Sequence, residues 1–374
     1  MNFDFSYEVK MMRDEARRFL KDRCPPKAVR RALDGEVTFD RDLWQAIGEL
    51  GWTGVSIPEE FGGAGIGYEA LCLIAGEMGA SLAPVPFSSS VYLAAEAILM
   101  SADDAQRREM LPAIASAESI WTFALAEGPG NPSVEAIGTE YRDGRLSGKK
   151  LAVPDASTAQ SCVVVAKDHT GEIGLYAVAL NDSSVTRETV KTVDPTRNYA
   201  NLTFRNTKAM PLLANGKGWG LVQHLLDRAA IFIAFEQVGG AEACLQMAKS
   251  YAVERYAFGR PIGTFQAIKH RLADMYVALE LARAHAYYGA WAISHDATEL
   301  ATAASAARVA AIDAYHLCAK ENIQIHGGMG FTWEMDCHLY YRREKMLSLL
   351  LGSAPYWRNR LIDELEHIEL AAAE

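Results

Sequence analysis

The chain has 374 residues, half of them hydrophobic and 22% charged, which suits a soluble globular protein with a sizeable core and length for two or three domains. Its net charge of −10 excludes a general nucleic-acid or acidic-membrane surface, but not a small anion held by a few local Arg or Lys residues. The opening stretch MNFDFSYEVKMMRDEARRF mixes charges throughout and lacks an apolar leader core, and apolar runs such as Ala229–Phe235 are too short for a membrane span.

The expected location is therefore the cytoplasm. Six cysteines, at 24, 72, 162, 244, 318 and 337, are scattered without a C-x-x-C pair, so buried reduced thiols are expected rather than a disulfide framework or a metal site.

Read in chain order, the first part is helical. Glu8–Lys21 and Arg41–Leu50 have amphipathic spacing, and Tyr68–Ala80 and Val91–Met100 are rich in Ala and Leu. Between them, Gly51–Gly67 is a loop punctuated by Gly and Pro. From about Ile120 the pattern becomes short β-branched or aromatic runs: Trp121–Ala126, Lys149–Val153, Cys162–Ala166, Leu175–Leu180 and Asn201–Phe204. Turn signals such as RDG and NDSS separate them, which predicts an antiparallel β domain. From about Gly218 the chain returns to long Ala-rich helical patterns, at Leu221–Tyr256, Ala267–Ser294, Glu299–Ile323 and Leu361–Ala373. Long neighbouring helices with short connections imply a bundle. The fold class is α+β, with an N-terminal α-helical domain over 1–118, a middle antiparallel β domain over 119–212 and a C-terminal four-helix bundle over 213–374.

Gly65-Ile66-Gly67-Tyr68-Glu69-Ala70 matches a dinucleotide fingerprint on paper, but that motif needs a preceding strand and its surroundings here are helical, so it is read as a loop leading into a helix. More informative is RYAFGRPIGTFQ, where Gly and Pro interrupt two long helical patterns. There Arg255 suits a phosphate, Phe258 a flat ring and Gln266 a ribose or pyrophosphate. A second Gly-rich stretch, Gln324-Ile325-His326-Gly327-Gly328-Met329-Gly330, ends a helix with more glycine than a helix stop requires, so that backbone N–H groups are open to a ligand.

With IPEEFGGAG (57–65), YAVERYAFGRPIGTFQAIKHRLADM (251–275) and QIHGGMGFTWEMDCHLYYRREK (324–345), the chain resembles the acyl-CoA dehydrogenases over nearly its whole length. The resemblance implies a tetrameric flavoprotein that oxidises an acyl-CoA substrate, holds FAD at a subunit interface and passes electrons to an electron-transfer flavoprotein. It assigns Arg255, Phe258 and Gln266 to the pyrophosphate and adenosine half of a neighbouring subunit's FAD, with Gln324, Gly327 and Gly328 lining the same half.

Two regions depart from the family pattern. Where relatives cover the flavin ring with a T-E-P-G-x-G-S-D-like loop and a W-[IV]-[ST]-N-G-like stretch, this chain has Ala126–Ser133 and Ala152-Val153-Pro154-Asp155-Ala156, with a small residue in place of the aromatic. The reaction also needs a carboxylate to remove the α-proton of the thioester. Many relatives place a Glu before a late Gly-[TS] pair, and here that position is Leu351, ahead of Gly352-Ser353. Leucine takes no proton, although its backbone N–H keeps the oxyanion role that relatives give this position. Relatives that use the first long bundle helix instead point to Ala229. Asp227, on an early turn of that helix, and Glu236, on the Ala229 face by i, i+7 spacing, are the remaining candidate bases.

Three readings follow. The chain is one chain type of an α2β2 dehydrogenase, with a second acyl-CoA dehydrogenase-like subunit supplying the ring cover and base. Alternatively, it is a self-sufficient homotetramer with a relocated base, or a redox-inactive scaffold. No feature of the sequence identifies the acyl group.

Overall fold

The computed structural model describes residues 5–212 and 218–373. The first residues of the opening stretch and the expected boundary at 212/213 touch positions outside this set. In chain order the elements are α1 (Tyr7–Arg23), α2 (Pro26–Leu33), α3 (Arg41–Glu49), α4 (Tyr68–Ser81), a π-helical segment (Ser88–Ala95), α5 (Glu96–Ser101), α6 (Asp104–Ala115), eight strands β1 (Trp121–Ala124), β2 (Glu140–Arg142), β3 (Arg145–Pro154), β4 (Ser161–Lys167), β5 (Ile173–Ala179), β6 (Val185–Val190), β7 (Tyr199–Lys208) and β8 (Met210–Pro211), then α7 (Trp219–Glu254), the short pair β9 (Tyr256–Ala257) and β10 (Arg260–Pro261), and α8 (Gln266–Ser294), α9 (Leu300–His326), α10 (Cys337–Leu347) and α11 (Ala354–Ala373). The expected order of helices, sheet and helices is observed. The chain divides into two compact units, one made of 1–29, 72–83 and 230–374, the other of 30–71 and 84–229.

In the unit that carries the sheet, local chemistry sets the helix starts. Asp40 caps α3 by accepting from the Leu43 N–H at 3.0 Å, and Asp103 and Gln106 form a reciprocal capping box at the start of α6. Strand order is β6-β7-β3-β2-β4-β5-β8, with β1 added beside β4. The sheet is antiparallel as expected in its main ladders, while β1 runs parallel to β4, pairing Trp121 with Ser161 through Ala124 with Val164. Central β4 is buried along Cys162–Ala166, which explains its unbroken apolar reading. Edge strand β6, VTRETV, is largely polar and carried no such signal.

The Val91–Met100 helix starts earlier than its composition indicated, because Ser88–Ala95 is wound as a π-helix. Three serines hold this wide turn. The Ser88 hydroxyl accepts from Arg197, the Ser89 hydroxyl donates to the Asp155 carboxylate at 2.7 Å, and that of Ser90 donates to the Trp121 carbonyl at 2.9 Å. π-turns of this kind often occur at functional sites.

The other unit is a helical bundle, with α8 and α9 running beside α7. Helix α4 meets α7 at glycines: a Cβ on Gly79 would lie 1.8 Å from the Glu236 carbonyl oxygen, and one on Gly239 1.8 Å from that of Gly76. Only glycine permits this backbone approach. Around it, Ala241, Ala248, Ala303, Ala304, Ala307 and Ala311 are buried, as the Ala-rich patterns indicated. All six cysteines are buried thiols. Among the described residues no helix is long and apolar enough to cross a membrane, and no group of His, Cys, Asp or Glu is arranged to hold a metal ion.

Candidate functional site

The break between α7 and α8 is a miniature hairpin. Ala257 pairs with Arg260 and Tyr256 with Pro261, leaving Phe258 and Gly259 as the two turn residues, at φ +53° and +79°. A two-residue hairpin of the type I′ class needs positive φ at both positions, which glycine supplies freely and phenylalanine does not. Phe258 nevertheless holds it with 95% of its surface exposed, its ring edge-on to Phe265 at 6.2 Å. Strain and apolar exposure in one residue point to a role outside the unit's own stability. Arg260 lies over the Phe265 ring at 4.3 Å, and the Ile262 N–H donates to the Arg255 carbonyl at 2.8 Å, which ties the hairpin back to the end of α7.

At the far end of α9, Gly327 leaves the helix at φ +59° and ψ −137°, a region reserved for glycine, and residues 327–331 form a tight turn. Cβ atoms added to Gly327 or Gly328 would meet nothing within 4 Å, so the bare backbone faces open space. The two ends are joined in the core, where the rings of Tyr251 and buried His326 stack at 4.1 Å. The structure thus brings the hairpin and the glycine turn to one end of the bundle, and Arg255, Phe258, Gln266, Gln324, Gly327 and Gly328 are all exposed there. The side chains of Arg255, Gln266 and Gln324 have no hydrogen-bond partner among the described residues. A guanidinium, two amides, an exposed ring and bare backbone fit the pyrophosphate and adenosine half of FAD.

The ring-side segments look different. Ala152 is exposed at φ +46°, in a bulge between the Lys150 and Val153 pairings of β3 with β7, with its N–H bonded to the Asn201 side-chain oxygen at 3.0 Å. Glu127 is occupied internally, accepting from the Gly138 and Thr139 N–H groups and from Lys150 Nζ at 2.5 Å. Lys150 is fully buried, and burial pulls its ammonium down to about 8 despite the opposing pull of Glu127. Neither segment carries an aromatic side chain, and the Ser133 hydroxyl accepts from the Ala136 N–H at 3.3 Å.

Both candidate bases are buried. Asp227 is only 3% exposed, although it lies on an early turn of its helix. At 100° per residue it also lies about 200° around α7 from Ala229, so it points away from the face where relatives place a base. Its neighbour Arg228 is buried too, donating to Glu96 at 2.9 Å and lying over the Tyr68 ring at 4.6 Å. Burial drives the Glu96 carboxyl up and the Tyr68 phenol up, the Arg228 charge opposing both shifts.

Glu236 does share the Ala229 face, about 10 Å along the helix by rise. It is fully buried and paired with equally buried Arg343 at 3.4 Å, whose other nitrogen donates to the Leu82 carbonyl at 3.2 Å. Leu351 follows α10 in a turn at φ +64°, next to Gly352 at φ +115°, where a Cβ would meet the Tyr356 ring at 2.5 Å. It brings no ionisable group to that turn.

Several of these partners escaped the sequence reading. Arg343, Arg228 and Lys150 are buried cations whose partners lie 107, 132 and 23 residues away. Arg308 is a fourth, and it left one local trace: a single Arg inside the run ATAASAARVAA, where a helix face is otherwise alanine.

The order helices, sheet, helices and these exposed groups suit a flavin-dependent oxidoreductase. Its N-terminal part, residues 6–118, matches the acyl-CoA dehydrogenase N-terminal domain, and residues 216–365 match the acyl-CoA dehydrogenase C-terminal domain. The chain is 34% identical to acyl-CoA dehydrogenase IpdE2 of Mycobacterium tuberculosis over 96% of its length and 97% of that protein's. Among solved structures it is similar to a variant of the Tcur3481-Tcur3483 steroid ACAD, with a TM-score of 0.88 at 32% identity over 98% of this chain and 99% of that one. The ChsE4-ChsE5 complex from Mycobacterium tuberculosis superposes with a TM-score of 0.88 at 26% identity, over 98% and 99% of the two chains. The chain belongs to the acyl-CoA dehydrogenase family, whose members are FAD-dependent oxidoreductases.

Proposed function

We propose that this chain is one of two chain types in an α2β2 acyl-CoA dehydrogenase, working in the cytoplasm with an electron-transfer flavoprotein as acceptor. Its spans 1–118, 119–212 and 213–374 act as the family's three domains. In this reading Arg255 neutralises the FAD pyrophosphate, Phe258 packs on the adenosine half, and Gln266, Gln324, Gly327 and Gly328 complete that half across a subunit boundary. FAD, when bound, accepts the β-hydrogen of the acyl chain as hydride. The Leu351 N–H holds the thioester carbonyl, and the second chain supplies the ring cover and the carboxylate that removes the α-proton.

The observation that carries this reading is Leu351 itself: the proton-accepting position is apolar while the adenosine-side residues stand complete and exposed. The interface is supported by Tyr276, Val277 and Leu281, more than half exposed on α8, and by exposed Phe258 and Phe331. Similarity to a two-component steroid enzyme and to the ChsE4-ChsE5 complex favours a sterol-derived acyl-CoA as substrate.

The test is the visible absorbance of oxidised flavin, measured on the chain purified alone and again after co-purification with a second acyl-CoA dehydrogenase-like chain. Flavin and turnover appearing only in the mixed assembly support the reading. A homomeric preparation that holds flavin and oxidises acyl-CoA unaided overturns it.

A further inference from the structure

Arg308, on α9, is fully buried and has no carboxylate partner among the described residues. One terminal nitrogen donates to the Leu347 carbonyl at 2.8 Å and to the Leu350 carbonyl at 2.7 Å, while the other binds the Gln237 side-chain oxygen. Leu347 ends α10, where carbonyls lack helical partners and a cation complements the helix dipole. Leu350 lies outside the helix, one residue before Leu351. Arg308 therefore grips the chain on both sides of residues 348 and 349 and delivers it into the left-handed step at 351.

Leucine does not favour φ +64°, so its surroundings must impose that conformation. Gly352 permits the next step but cannot fix the one before it. Sinking a guanidinium beneath this turn is costly when only carbonyl and amide dipoles compensate it, since a helix end at the surface is capped more cheaply by water. Burial draws the guanidinium down to about 9, which leaves it charged at neutral pH.

We infer that Arg308 is a positioning residue of the thioester site: gripping the Leu347 and Leu350 carbonyls, it holds the Leu351 backbone N–H in the one presentation that the acyl-CoA carbonyl requires. The inference rests on the role proposed above for Leu351. It assigns a function to a side chain that touches neither substrate nor flavin.

The experiment compares wild type, Arg308→Gln and Arg308→Lys in the flavin-holding assembly, by steady-state kinetics and by amide hydrogen exchange at residues 349–352. In Arg308→Gln we expect kcat to fall at least ~10-fold with KM within about threefold, since the lost organisation matters most as charge builds on the carbonyl oxygen. Exchange at 349–352 should quicken about 10-fold or more while the β4 amides stay protected. Arg308→Lys keeps a cation on the carbonyls and should recover kcat to within about threefold of wild type. If Arg308→Gln does not assemble, Gln237→Met, which removes one anchor of the guanidinium, should give the same two changes in smaller measure. Unchanged exchange at 349–352, or faster exchange with unaltered kcat, overturns the inference. A wild-type assembly that oxidises no acyl-CoA overturns the proposed function instead, a different result from an active wild type whose turn ignores Arg308.

Discussion

Tyr251 and His326 stack with ring centroids 4.1 Å apart and planes 27° from parallel, the one four residues before Arg255 and the other two residues after Gln324. His326 is buried, and it is further fixed by Nδ1, which lies 2.8 Å from the Asn322 carbonyl oxygen. The pair ties the hairpin end of α7 to the glycine turn after α9, the two parts of the proposed adenosine site, without belonging to either. Replacing His326 with Leu should cost about 0.5–1.5 kcal/mol for the lost ring pair, read as a lower midpoint in thermal or urea unfolding. It should also loosen flavin retention, whereas His326→Phe, which keeps a ring, should retain both.

Arg255→Ala acts on the site directly. The side chain is exposed, so stability should stay within about 0.5 kcal/mol of wild type. Flavin affinity should fall by ~1.5–3 kcal/mol, the usual worth of a charge-assisted contact, or about 10- to 150-fold by the standard conversion. The check is the flavin-to-protein ratio after gel filtration of the assembly that binds flavin. An unchanged ratio would remove Arg255 from the site.

Both stretches were legible in the sequence because backbone geometry wrote them there. A Gly-Arg-Pro run between long helical periods has few solutions other than a tight turn, and three glycines at a helix end advertise bare backbone. Helix α6 was not picked out on its own, since its Asp104–Ala115 sequence opens on a polar run and carries Pro112 inside it. Edge strand β6, alternately half-exposed and polar, reads as loop for the same reason: its hydrogen bonds to β7, not its side chains, make it a strand. The burial of Asp227 could not be read from its place near a helix start. Burial is decided by what packs against a helix, and that partner lies outside any local window.

The Lys150–Glu127 pair yields a pH test inside the sheet unit. Desolvation is the larger influence on Lys150 and holds its ammonium down at about 8, below its ordinary value of 10.5. The folded state therefore binds fewer protons than the unfolded chain between these values, so this group's contribution to stability rises as pH goes from about 8 to 10.5. The Glu127 carboxyl is lowered too: desolvation pushes it up, but the Lys150 charge and the hydrogen bonds from Lys150 and Thr139 outweigh that, so its contribution is present at neutral pH and lost as acid protonates it. Unfolding free energy measured against pH for wild type and Lys150→Met should diverge in the alkaline window, wild type gaining on the variant. Parallel curves there would show that Lys150 titrates as it does in the unfolded chain.

The location of the catalytic proton acceptor separates a partner chain from a complete enzyme. Glu236 is held by Arg343 at 3.4 Å, and deleting either charge leaves the other buried and uncompensated. Glu236→Leu should therefore destabilise by about 3–5 kcal/mol, whereas Glu236→Gln retains a hydrogen-bonding oxygen for Arg343 and should lose less. Asp227→Asn preserves shape at a buried site on the wrong face of α7. In the assembled complex, Asp227→Asn and Glu236→Gln should each leave turnover within a few-fold of wild type, because Asp227 lies about 200° around the helix from Ala229 and Glu236 is paired with buried Arg343. A true general base would be worth on the order of 10²–10⁴-fold, a gap that kcat measured at saturating acyl-CoA resolves easily once flavin content and tetramer mass are matched. A drop of that size in either variant would return the chemistry to this chain and displace Leu351 as the mark of a partner subunit.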